Sequence, residues 1–233
     1  MPTPLLFSSK TLSFLRSLKR HNNREWFQAN RERYEAHVRQ PMETFVDRMA
    51  NDLNDFAPDL NANPKRSIYR IYRDTRFSAN KTPYKTHIAA IFPHRDLPKH
   101  ESGGLYLHVA HDHVFVGGGL YRPTPQHLYR LRVHIASHLN DLEEMVGHPN
   151  FKKQFGGLRG ERLKRVPRGF DSIDSRHPAA VYLKYKQLLA GIERPADFAT
   201  TPRFYSSVLR LFKTLAPLIH FINKPIAVKS FQL

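Results

Sequence analysis

The chain contains no cysteine. This excludes a disulfide framework, thiolate zinc sites, iron–sulfur clusters and cysteine nucleophiles together. Long apolar runs are also missing. The nearest approach, over 211–228, is broken by Lys213, Pro217, His220, Lys224 and Pro225, so no membrane span is expected. The opening MPTPLLFSSKTLSFLRSLKR has no basic region ahead of a long apolar stretch, so no secretion signal is expected and a cytoplasmic location is. No G-x-S-x-G elbow, H-E-x-x-H pair or G-x-G-x-x-G loop occurs. Without them a hydrolase elbow, a zinc-protease helix and a dinucleotide fold are unsupported.

Negative charge is scarce, with 20 Asp+Glu against 37 Lys+Arg and a formal charge of +17. The surplus is not spread evenly. Residues 1–60 carry +1, 61–100 carry +7, 101–150 carry −2 and 151–233 carry +11. Charge kept only for solubility has no reason to partition in this way, whereas a patch that attracts an anion does. Of the 233 residues, 40% are hydrophobic and 12% aromatic, enough to bury a core.

The first 60 residues read as helical. Leu12, Leu15 and Leu18 recur at helical spacing, and a second helix opens at Asn22 or Asn23, where Asn22 and Glu25 have capping-box spacing. Pro41 suits the first turn of a third helix carrying Met42, Phe45, Val46, Met49 and Leu53. The period then changes. Residues 67–73 and 87–92 read as strands, the latter central, and 105–109 with 113–116 read as an antiparallel hairpin that ends at Gly117-Gly118-Gly119. Thr124-Pro125 and Thr201-Pro202 each give a helix start, and Pro217 is expected to kink or end the last helix. Residues 150–198 read as irregular, apart from a short helix over 179–183. Helices, a mostly antiparallel sheet and further helices predict a single α+β domain over 1–233.

The densest chemistry follows Tyr72, in Arg73-Asp74-Thr75-Arg76-Phe77-Ser78-Ala79-Asn80-Lys81-Thr82-Pro83-Tyr84-Lys85. On a strand ending near Arg73, the side chains of Tyr69, Ile71 and Arg73 share one face, and a buried Arg73 needs a partner. Arginine forks and lysine point charges are the usual holders of phosphate and carboxylate. Besides catalysis by these residues themselves, two readings compete. In one, Arg73, Asp74 and Arg76 form a salt-bridge network that locks the loop. In the other, Arg73, Arg76, Lys81, Tyr84 and Lys85 bind an anion, because one Asp cannot neutralise four cations.

Together with Asn23-Arg24-Glu25-Trp26-Phe27 and Gly117-Gly118-Gly119-Leu120-Tyr121, this segment resembles the conserved-hypothetical family labelled domain of unknown function 2461. The resemblance runs from about Phe14 to Pro225. It implies one α+β domain and supplies no established activity, substrate or cofactor. Lys164, Pro167, Gly169, Phe170 and Lys184 also resemble family positions, which implies that their region returns to the arginine loop.

Fourteen histidines invite a metal reading. His108, His111 and His113 lack a carboxylate set beyond Asp112, and His127, His134 and His138 lie on a polar helix face, so all six are read as surface residues and no metal is expected. The leading expectation is a cationic pocket for a phosphorylated or carboxylated ligand, with no cofactor. Its wall would draw on Asn23, Arg24, Trp26, Tyr121, Lys164 and Lys184, and Asp74 is the only candidate base. A nucleic-acid-associated protein using 61–100 and 151–186 is the alternative, and a structural or interaction domain the second.

Overall fold

A computed structural model describes residues 5–227. Four strands, β1 (His87–Pro93), β2 (Gly104–Ala110), β3 (His113–Leu120) and β4 (Leu188–Pro195), form one antiparallel sheet in the order β1-β2-β3-β4. Helices precede and follow it, as the α+β expectation requires. The described chain packs as two compact units. One comprises residues 5–92, 106–116 and 193–210, and the other 93–105, 117–192 and 211–227.

In the first unit, α1 (Ser9–Arg20) buries Phe14, Leu15 and Leu18, and α2 (Arg24–Ala29) buries Phe27. Asn23 caps α2 by accepting the Trp26 N–H at 2.8 Å, so the cap lies one residue beyond the capping-box spacing of Asn22. The expected third helix does not begin at Pro41. It begins as α3 (Arg31–Tyr34), passes through a π turn (Glu35–Arg39) and continues as α4 (Gln40–Phe56). Pro41 has no N–H for the carbonyl of His37, one turn back. The fully buried Thr11 hydroxyl donates to that carbonyl instead, at 2.6 Å. A part-buried hydrogen bond thus serves the carbonyl that the proline cannot reach.

The segment read as a strand over 67–73 is not one. After α5 (Pro64–Ser67) it makes only isolated bridges, Ile68 with Ala90 and Tyr72 with Tyr84. Alternation survives in part, since Ile71 is buried and Tyr72 is exposed. β1, expected to be central, heads the strand order, with β2 on one side and, among the described residues, the isolated Ile68–Ala90 bridge as its other pairing.

In the second unit, the Thr124 side chain accepts from His127 N–H at 3.1 Å and Pro125 opens α6 (Pro125–Ser137), as expected. The irregular reading of 150–198 is corrected. After α7 (Leu139–Gly147), α8 (Pro149–Phe155) runs into that region, α9 (Ala179–Leu183) falls as predicted, and β4 follows. The three glycines do not end the hairpin strand but run within β3, where Gly119 lies against the backbone of Leu188 and Leu189. The last helix, α10 (Phe204–Ala227), starts two residues after Pro202 and continues through Pro217. Within this unit the buried Asn223 side chain accepts from Gly103 N–H at 2.7 Å and donates to Gly103 C=O at 3.1 Å. Among the described residues no helix is long and apolar enough to cross a membrane.

Candidate functional site

In the first unit a cleft of about 340 Å³ opens between α2 and the segment after Ile71. Arg24 and Gln28 of α2 form one side, and Tyr72, Arg73 and Thr75 face them. Pro83 and Tyr84 complete the lining. No carboxylate is among these residues.

The wall is held by the backbone. Tyr72 and Tyr84 are bridged, Arg73 N–H donates to Pro83 C=O at 2.8 Å, and Lys85 N–H donates to Ile71 C=O at 2.7 Å. Asn22 closes the other side of the same strand of chain. Its Nδ2 donates to Tyr84 C=O at 2.9 Å while its Oδ1 accepts from Tyr84 N–H at 3.0 Å. The Tyr84 ring, 2% exposed, stacks on Phe27 at 4.2 Å between centroids. Burial pushes the Tyr84 hydroxyl above its ordinary value, and Tyr72 adds to this, whereas Arg24 and Arg31 pull it down.

The loop cations take different roles. Arg73 donates to two hydroxyls, Thr82 Oγ1 and Ser78 Oγ, and meets no carboxylate among the described residues. The half-buried guanidinium is therefore satisfied without being neutralised. Asp74 instead holds Arg76, with Nε to Oδ1 at 3.0 Å and NH2 to Oδ2 at 2.8 Å. Those bonds hold its carboxyl down to about 2, the side-chain bond first and the backbone N–H of Arg76 second. A carboxylate so gripped is a weak proton acceptor, which counts against Asp74 as a base. Lys81 Nζ donates to Thr75 C=O at 3.0 Å. Lys85 Nζ donates to Arg70 C=O at 2.6 Å, and burial, aided by Arg70, lowers its pKa.

Of the residues singled out by sequence, the cleft gathers Arg24, Arg73 and Tyr84. Arg76, Lys81 and Lys85 brace the loop and are not in its lining. Asn23 serves as a cap, and Trp26 packs against Phe14 and His21 at 5.5 and 5.9 Å. Tyr121, Lys164 and Lys184 belong to the second unit. Gln28, Tyr72, Thr75 and Pro83 line the cleft without having been singled out, because none carries a charge. The doubled asparagine at 22–23 was the one available sign of Asn22's role: a single cap leaves the other side chain free.

Comparison with curated proteins finds no match. The stretches that build the cleft all lie within residues 10–221, which match a family model described as conserved hypothetical protein (DUF2461), and the chain belongs to that family.

Proposed function

We propose that the cleft binds the phosphate or carboxylate group of a small ligand. The observation that carries this reading is the placement of two guanidinium groups, Arg24 and Arg73, in one cleft with no carboxylate in its lining. Arg24 has no ion-pair or hydrogen-bond partner among the described residues. Arg73 is oriented by hydroxyls, which fix the fork without cancelling its charge. A guanidinium held in this way presents its remaining N–H groups to an incoming anion, with little ordering left to do on binding. The reading is one of binding; with Asp74 committed to Arg76, the cleft has no evident proton acceptor.

The test is thermal unfolding in phosphate and in a dicarboxylate, against chloride at matched ionic strength. Binding stabilises the native state by about 2.7 kcal/mol when ligand reaches roughly a hundred times its Kd. We expect Arg24→Ala to unfold at the wild-type temperature in chloride and to lose the anion-dependent rise. Arg76→Ala, altered outside the lining, should keep it. A rise that persists in Arg24→Ala would remove the cleft from consideration.

A further inference from the structure

We infer that the anion accepted by this cleft is the phosphate of a planar aromatic ligand about the size of a mononucleotide, whose ring lies on Tyr72. This rests on the reading of the cleft as an anion site and adds a ring to it. Four observations lead there.

Tyr72 is a large aromatic side chain left 53% exposed, and it is exposed into the cleft. Its position is fixed from behind. The Tyr84 ring stands 5.4 Å away, itself stacked on Phe27, and the bridge between Tyr72 and Tyr84 pins the backbone. An exposed ring on a rigid backing is a stacking platform whose ordering cost is already met in the free protein. Next, the ring and the anion group are consecutive residues: Tyr72 and Arg73 both line the cleft, so one ligand can meet both. Third, about 340 Å³ is far more than an inorganic anion fills and sits at the small end of pockets that take organic ligands. Last, the Gln28 amide lines the cleft with no hydrogen-bond partner among the described residues. An amide offers both a donor and an acceptor, the combination that a nucleobase edge requires.

Calorimetric titration of the full chain at fixed ionic strength tests this, with inorganic phosphate, ribose 5-phosphate, AMP and adenosine as probes. AMP should bind at least about fivefold tighter than ribose 5-phosphate, the low end of what one stacked base contributes. Tyr72→Leu should abolish that difference while retaining ribose 5-phosphate affinity, and Tyr72→Trp should preserve the difference. Phe77→Ala is the control, since Phe77 is 96% exposed but outside the lining. The two Tyr72 variants guard against a folding defect, and each is checked by its melting temperature. Equal binding of AMP and ribose 5-phosphate to the wild type, or a difference that survives in Tyr72→Leu, overturns the ring contact and leaves the anion site standing. Failure of all three phosphates to bind overturns the phosphate and its ring together, and the anion site falls with them if the dicarboxylate also gives no rise in melting temperature. A 5′-phosphorylated trinucleotide separates the two sources of this chemistry: tighter binding than AMP assigns a strand end, and weaker binding a free nucleotide.

Discussion

The Nε2 atoms of His108 and His113 stand 2.9 Å apart across neighbouring strands β2 and β3. Expected at the surface, both are half-buried. Asp112 Oδ1 accepts from His113 Nδ1–H at 2.8 Å, which turns His113 Nε2 towards His108. With His108 donating from Nε2, its Nδ1 accepts from the Tyr106 hydroxyl at 3.2 Å. A continuous hydrogen-bonded chain thus links Tyr106, His108, His113 and Asp112. A further proton on His108 would place a charge in a half-buried site. Among the described residues no three metal-ligating side chains are grouped to hold an ion.

Acid should therefore destabilise the protein. Burial, then Lys85 and His113, holds His87 down to about 4. Burial, then His87 and His113, holds His108 down to about 3 against the opposing pull of Asp112. Above pH ~6.5 both rings are neutral folded or unfolded, and neither affects stability. Below it the unfolded chain takes up protons that the folded chain refuses, so stability falls towards pH 4. From pH 6.5 to 5 the loss is roughly 2 kcal/mol for each ring at most. Urea unfolding at the two pH values should show a lower midpoint in acid, and His108→Phe should reduce the gap. An unchanged gap in that variant would mean that other groups carry the pH dependence.

Asn22 is expected to matter more than its place just before the α2 cap suggests. Its side chain pairs both backbone groups of Tyr84, which anchors the cleft wall. Asn22→Ala leaves a donor and an acceptor without partners, at a cost of about 1–3 kcal/mol. Hydrogen exchange of the Tyr84 amide should accelerate in the variant. Protection equal to the wild type would show that the bridge to Tyr72 suffices alone.

The parts of this fold that were legible from sequence are those that local chemistry decides. Thr124-Pro125 sets the start of α6 with two residues, and the alternation over 105–116 sets the hairpin. β4 was not legible. Its sequence, LLAGIERP, contains glycine, a charged pair and a closing proline, and it becomes a strand through pairing with the distant β3. The same division holds at the cleft. Arg73, Tyr84 and Arg24 stood out by charge density or motif, whereas Tyr72 and Gln28 acquire their roles only where α2 meets the Tyr72–Tyr84 bridge.

Gly119 is a glycine whose replacement should be costly. Its φ is +133°, and a Cβ there would overlap the Leu188 carbonyl and stand 2.8 Å from Leu189 Cα. Both obstacles are backbone, so neither can rotate away. Gly119→Ala should lose at least about 2 kcal/mol by urea unfolding. Gly147→Ala serves as contrast. It ends α7 with nothing within 4 Å of a new Cβ, and should be neutral or stabilising by up to about 1 kcal/mol. Equal effects at the two sites would contradict the close approach of β3 to Leu188.

Pro217 should be a stability defect that the fold tolerates. Proline was expected to kink or end the last helix, yet α10 continues for ten residues beyond it. The prolyl nitrogen has no hydrogen to donate to the preceding turn, and its ring crowds that turn. Such an interior proline costs about 3 kcal/mol relative to alanine. What outweighs it is the apolar face around it: Leu215, Leu218, Ile219 and Ile222 are each no more than 1% exposed, while Pro217 itself faces solvent. Helices are held in proteins mainly by such burial and only weakly by propensity. Pro217→Ala restores the N–H, removes the ring and disturbs no buried side chain. Its urea midpoint should rise, corresponding to about 1–3 kcal/mol of added stability. A fall would show instead that the bend imposed at Pro217 is needed to seat the residues after it.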